Sequence, residues 1–263
     1  VDLALVPDLM RECATLHIHN LVVVSGGGKE LGGERAAVEA EVRRLARELD
    51  VRVVGPNCIG VFDGRTRLDT FFQPQERMIR PPAGPVAMMS QSGTVGIAFM
   101  EDMATVGMSS FVSYGNRADV DEADLLTYLA DDPDTRVIAL YVEGFENGRG
   151  FLEAARRAAA RKPVVIFKSG RTAAAGRAAL THTGFLAGSY KVVQGAFRQA
   201  GLIDVDSYEE LVAVSKDLAM QPAAAGPRVA MIGNGIGTTV QALDILSDYR
   251  LDLAALAPAT LAG

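Results

Sequence analysis

The sequence has no tryptophan, and aromatic residues make up only 6% of its 263 positions. A core must therefore be built from Ala, Val, Leu, Ile and Met, the usual material of alternating helix–strand proteins. Two cysteines, Cys13 and Cys58, are too few for a disulfide framework, and a chain with its own large core has little need of one, so thiols are expected. No apolar run approaches the roughly 20 residues of a membrane span, and the first residues show no basic flank leading into an apolar stretch. A soluble, cytoplasmic protein without a membrane partner is the expectation. Positive charge is in deficit: 26 Lys and Arg stand against 32 Asp and Glu, a formal net charge of -6. That balance removes the electrostatic footprint of general nucleic-acid binding.

What is present is a regular alternation. Short β-branched runs at Val1–Val6, Leu21–Ser25, Val51–Val54, Pro85–Met89, Ser110–Tyr114, Val137–Val142, Pro163–Lys168, Leu202–Val205 and Arg228–Ile232 read as strands. Between them lie segments of helical period: Glu34–Asp50, Thr94–Val106, Glu122–Ala130, Gly150–Ala160, Tyr190–Ala200 and Tyr208–Met220. The alternation predicts an α/β protein with parallel strands buried on both faces. Residues 61–84, charged and Pro-rich without a clear period, read as a linker, and residues 221–227 as a short connector. Three pieces follow: a partial domain at 1–60, a full doubly wound set at 85–221, and the start of another at 228–263. The first and last pieces read as clipped.

Several turns sit where such sheets place ligands, beyond the carboxyl ends of strands. Ser90-Gln91-Ser92-Gly93-Thr94 follows one strand and opens a helix, and Ser92 and Gly93 would offer backbone N–H groups to a phosphate. An ordinary turn with a Ser cap is the alternative. Gly233-Asn234-Gly235-Ile236-Gly237 repeats the arrangement, with Gly235 and Gly237 as candidate anion ligands. As a dinucleotide fingerprint it fails, because Thr238 stands where Gly or Ala is required. Glu143 follows the Val137–Val142 strand and precedes a Gly, as either a site carboxylate or a surface residue or cap. His182, in a loop of small residues, is open to act as a nucleophile or base, or is simply solvated. Pro56, Asn57 and Cys58 close a tight turn after the Val51–Val54 strand. His17 and His19, at a helix-to-strand junction, read as surface residues. Asp119, Asp121, Glu122 and Asp124 suggest a metal cluster, but capping of the helix that begins there explains them more simply, and no metal site is assigned.

Taken together, GPNCIG at 55–60, VAMMSQSGTVG at 86–96, YGNRADVDEADLLTYLADDP at 114–133, YVEG at 141–144, KSGRTAAAGRAALTHTGFLAG at 168–188 and AFRQAGLI at 196–203 resemble the NDP-forming acyl-CoA synthetase family. That family includes ADP-forming acetate–CoA ligase and is related to succinyl-CoA synthetase. The resemblance implies a Rossmann-like CoA-binding domain, here lacking its first βα unit, followed by flavodoxin-like domains. It implies that His182 is phosphorylated and that Glu143 supports it. Two helix N-termini, at Ser92-Gly93 and Gly235–Gly237, would face one phosphate, and Pro56, Asn57 and Cys58 would lie in the CoA site. The implied reaction joins a small carboxylic acid to CoA with ATP, through an acyl phosphate and a phosphohistidine. ATP and ADP with Mg would be handled by an ATP-grasp domain or subunit, in an oligomer. One rival is a non-catalytic CoA-sensing module of a protein acyltransferase fusion, which the pairing of His182 with Glu143 disfavours. A nicotinamide-dependent oxidoreductase is a second rival, opposed by Thr238.

Overall fold

In the computed structural model, residues 1–172, 175, 190–222 and 224–261 are described, and the chain divides into two units, Val1–Met220 and Gln221–Gly263. The first unit opens differently from the expectation. Val1–Val6 is not a strand: Asp2 caps a short 3-10 turn at Leu3–Leu5 by accepting from the Ala4 N–H at 2.9 Å, and helix α1 runs Val6–Thr15. The apolar spacing Val6–Met10 places one buried stripe on a helix, and Pro7 fits the first helical turn, where its missing N–H costs nothing. Strands β1 (Asn20–Val22) and β2 (Arg52–Val54) pair in parallel, joined through helix α2 (Gly33–Glu48). Leu3, Met10, Val42, Leu45, Val51 and Val53 form the core of this small module.

The rest of the unit is a six-stranded sheet of order β3-β5-β4-β6-β7-β8, comprising Val61–Asp63, Met108–Ser113, Ala83–Ser90, Val137–Val142, Val164–Lys168 and Ile203–Asp204. Helices α3 (Gly93–Asp102), α4 (Glu122–Asp131), α5 (Gly148–Ala159), α6 (Tyr190–Ala200) and α7 (Tyr208–Met220) complete it. Five strands are parallel, while β3, at the start of the segment read as a linker, runs antiparallel on β5. The sheet is therefore mixed. A three-residue strand on an edge is too short to show a period in sequence.

Alternation within the buried strands builds two apolar layers. Ala87, Met89, Ile138 and Leu140 face α4, α5 and α6, whose contributions include Leu126, Phe151, Ala155 and Phe197. Val86, Met88, Val137 and Ala139 face α3 and α7, with Phe99, Met100 and Leu211. Phe151, Ala154, Ala155 and Ala158 recur at helical spacing on α5, which is why that helix lies flat on the sheet. Asp121 and Asp124 form a capping box at the start of α4. Asp119 instead accepts from Arg52 and from the Val53 N–H.

The second unit has the parallel pair β9 (Arg228–Val229) and β10 (Asp252–Leu253), with α8 (Ile236–Asp248) between them and α9 at Pro258–Leu261.

Candidate active site at the switch in strand order

Counting only parallel strands, the sheet order is second, first, third, fourth, fifth. The chain reverses its direction of growth between β4 and β6, and at that point the connections leave on opposite faces and open a crevice beyond the carboxyl ends. Three of the candidate residues stand there. Ser92 follows β4 and caps α3, its Oγ accepting from the Val95 N–H at 3.4 Å, and Gly93 is the first helical residue. Glu143 follows β6, one residue past its end.

Gln91 joins them. Its Oε1 accepts from the Glu143 N–H at 2.5 Å and the Gly144 N–H at 3.2 Å, and its Nε2 donates to the Gly144 carbonyl at 2.8 Å and to Glu122 Oε1 at 2.6 Å. Two donors on one side and two acceptors on the other allow only this orientation of the amide. Glu122 also takes the Arg117 guanidinium at 2.5 Å, both side chains being almost wholly buried. Burial pushes the Glu122 carboxyl up, and Arg117 opposes that. On the other side of Glu143, the Lys168 ammonium donates to the Glu143 carbonyl at 2.7 Å and the Ser169 carbonyl at 2.6 Å. Lys168 is only 6% exposed, and burial pushes its pKa down while the Glu143 charge holds it up. The Tyr141 hydroxyl donates to Glu143 Oε1 at 3.4 Å, and burial pushes that phenol up.

The small module meets this crevice. Lys29, Asn57, Gln91, Gly115, Asn116, Arg117 and Glu143 line one cleft. The Asn116 N–H donates to the Pro56 carbonyl at 2.8 Å and the Ala118 N–H to the Gly55 carbonyl at 2.9 Å, so the loop after β5 is stitched to the turn after β2. Gly55 has φ of +100°, and a Cβ there would lie 2.3 Å from the Val23 carbonyl oxygen, so only glycine closes this turn. Asn57 lines the cleft. Cys58 points inward beneath it: its Sγ donates to the Val23 carbonyl at 3.4 Å, and burial pushes the thiol up to about 11. A ligand at this turn would meet Asn57 and main chain, not the Cys58 thiol. Cys13 and Cys58 are both free, as expected.

Ser25–Gly28, a glycine-rich turn after β1, was not singled out from the sequence. A Cβ on Gly28 would fall 2.2 Å from Glu39 Oε2, which instead accepts from the Lys29 N–H at 2.8 Å. The Gly27 N–H likewise donates to Glu30 at 2.7 Å, so carboxylates of the same module hold this turn at the carboxyl ends of β1 and β2. Lys29 crosses to the sheet domain, donating to the Asn116 carbonyl at 2.9 Å and to Glu146 at 2.6 Å, and Arg43 reaches Glu146 at 2.9 Å. Burial alone would raise the Glu146 carboxyl, but Lys29 and Arg43 hold it below the ordinary range.

His182 lies outside the described residues. The residues flanking its segment are described: Arg171 sits 4.7 Å above the Tyr190 ring, and Tyr190 donates to Asp204 at 2.8 Å. Gly235 caps α8 in the second unit without a side-chain cap, and Gly237 lies in its first turn. His17 is exposed, and His19, also exposed, pairs through Nδ1 with the Asp50 carbonyl. The side-chain role of Gln91, the Arg117–Glu122 pair and Lys168 were also missed in sequence. A lysine ending an otherwise apolar strand was the available signal, since buried lysines are paired.

Comparison with known proteins agrees with this layout. Residues 83–218 match the family model of the succinyl-CoA ligase like flavodoxin domain, and residues 2–63 match that of a CoA binding domain. The alpha subunit of acetate–CoA ligase (ADP-forming) I from Pyrococcus furiosus is 38% identical over 250 residues, covering 94% of this chain and 53% of that protein. Acetate–CoA ligase (ADP-forming) I from Archaeoglobus fulgidus is 40% identical over 97% of this chain and 36% of its own length. Thus the chain spans about a third to a half of these curated relatives. The structure of the dinucleotide forming acetyl-coenzyme A synthetase 1 from Candidatus Korarchaeum cryptofilum, in complex with phosphate and ADP, aligns with a TM-score of 0.89 at 37% identity, over 97% of this chain and 54% of that one. With sheet order, cleft and sequence in agreement, the chain belongs to the NDP-forming acyl-CoA synthetase family, with its succinyl-CoA-ligase-like flavodoxin domain at residues 83–218.

Proposed function

We propose that this chain is the CoA-binding and phosphohistidine-bearing part of an ADP-forming acid–CoA ligase. The observation that carries the reading is that Glu143 and the Ser92-Gly93 helix start follow the neighbouring strands β6 and β4 at the switch in strand order, with Glu143 in a cleft it shares with Asn57 of the CoA-binding module. In this reading an imidazole nitrogen of His182 attacks the γ-phosphorus of ATP, the N–P bond forms, and the bond to the leaving ADP oxygen breaks. A carboxylate oxygen of the acid then takes the phosphoryl group from His182 to give an acyl phosphate. The CoA thiolate attacks its carbonyl carbon, releasing phosphate.

Each part of the chain has a physical task. Glu143 accepts from one ring nitrogen of His182, fixing the tautomer that leaves the other free to attack. The α3 N-terminus presents N–H groups and the positive end of a dipole to the phosphoryl oxygens, and the Gly235–Gly237 helix start would offer N–H groups of the same kind. Pro56, Asn57 and the Ser25–Gly28 turn hold CoA. ATP and Mg are handled by an ATP-grasp domain or subunit.

Labelling with γ-phosphate-labelled ATP and an ATP-grasp partner tests this. Acid-labile, base-stable label is expected in the wild type and absent in His182→Asn. Equal labelling of the two overturns the assignment of His182, and a CoA-binding protein without label in either supports the sensing module instead.

A further inference from the structure

Glu143 stands on the first residues of a connection, where backbone is ordinarily mobile, yet its peptide groups are gripped from both sides. Gln91 takes the N–H of Glu143 and of Gly144, and Lys168 takes the Glu143 carbonyl. We propose that Lys168 and Gln91 are positioning residues, which lock the peptide bearing Glu143 between β4 and β7 and thereby aim its carboxylate at the histidine. The inference rests on the reading of Glu143 given above.

Three features support it. The grip comes from two strands: Gln91 follows β4 and Lys168 ends β7, the neighbours on either side of β6, which Glu143 follows. No single element could hold the peptide against rotation in this way. Each clamp is itself fixed. Gln91 Nε2 is anchored on buried Glu122, which the Arg117 guanidinium holds in turn, and the Lys168 ammonium is shared with the Ser169 carbonyl. Finally, a nearly buried ammonium is costly unless it has acceptors, and here the acceptors are main-chain carbonyls around the proposed catalytic carboxylate. Neither Gln91 nor Lys168 needs to touch the phosphoryl group. Their effect passes through Glu143.

The test is a double-mutant cycle on the rate of His182 labelling by ATP, using the full-length protein with its ATP-grasp part. Lys168→Met is expected to slow labelling about ten- to a hundredfold, since a misplacement of about 1 Å can cost a hundredfold, without moving the KM for ATP. Lys168→Arg restores most of the rate, because it still donates to the two carbonyls. In a Glu143→Gln background, with residual labelling followed over hours, Lys168→Met is expected to add less than about twofold, since residues acting through one group are not additive. Gln91→Met asks the same question from the other side of the peptide and decides the matter if Lys168→Met does not fold. Equal slowing by Lys168→Met with and without Glu143, or no rescue by Arg, overturns the clamp while leaving His182 labelling intact. No label in the wild type overturns both the clamp and the function on which it rests.

Discussion

The CoA-binding module and the sheet domain of the first unit are held together by different physics. The sheet has two apolar layers, and every residue of β5 and β6 is in the interior. The module has two three-residue strands and a small core, and it meets the sheet domain largely through polar groups: Lys29 and Arg43 on Glu146, Asn116 on Glu30 and Glu39, and the stitched turns at Gly55 and Pro56. Apolar burial is non-directional and tolerates small shifts. Hydrogen bonds to buried acceptors hold only in one geometry. The cleft lies where the two regimes meet, so one wall is rigid and the other is set by charge and hydrogen bonding.

The largest effect is expected at the junction. Arg117→Met leaves Glu122 buried without its cation, which should cost about 3–5 kcal/mol of unfolding free energy, read from denaturant melts. A change below about 1 kcal/mol would mean that the pair is open to water in solution. Next, Leu45→Ala in the module core should cost roughly 2–4 kcal/mol locally. Hydrogen exchange should then quicken in residues 20–54 while β4 and β6 amides stay protected. Uniform acceleration across both regions would show that they unfold as one. A smaller effect is expected from Glu146. Its folded pKa is lowered, so its contribution is present above the ordinary glutamate range and is lost as the pH falls through the folded value. Acidification should therefore loosen the module first, and Glu146→Gln should remove that pH dependence of exchange at residues 20–54. The smallest effect is at Cys58. With its thiol pushed up to about 11, it should stay unmodified by a thiol reagent at neutral pH until the protein is unfolded, whereas Cys13 reacts; prompt labelling of Cys58 would place the turn in a more open form.

Much of this was legible along the chain. Fully apolar runs marked β4, β6 and β7, acidic caps marked α4, and small-residue turns marked Ser92-Gly93, Asn57 and Gly235–Gly237, because burial period and turn chemistry are local properties. Val1–Val6 misread because five apolar residues in six suit a strand as well as a helix, and only packing of Val6 and Met10 on one module core chose the helix. β3 was hidden because three residues on an edge carry no period.

Neighbourhood was decided by the tertiary structure alone. That Glu143 lies beside Gln91, 52 residues earlier, and is gripped by Lys168, 25 residues later, follows from strand order, and strand order is set by hydrogen bonds between distant segments that leave no periodic trace in either one. The sequence determined which residues could do chemistry at strand ends. Only the pairing of β6 between β4 and β7 decided which of them share a site, because a buried lysine, a glutamine amide and two peptide groups satisfy one another there and nowhere closer along the chain.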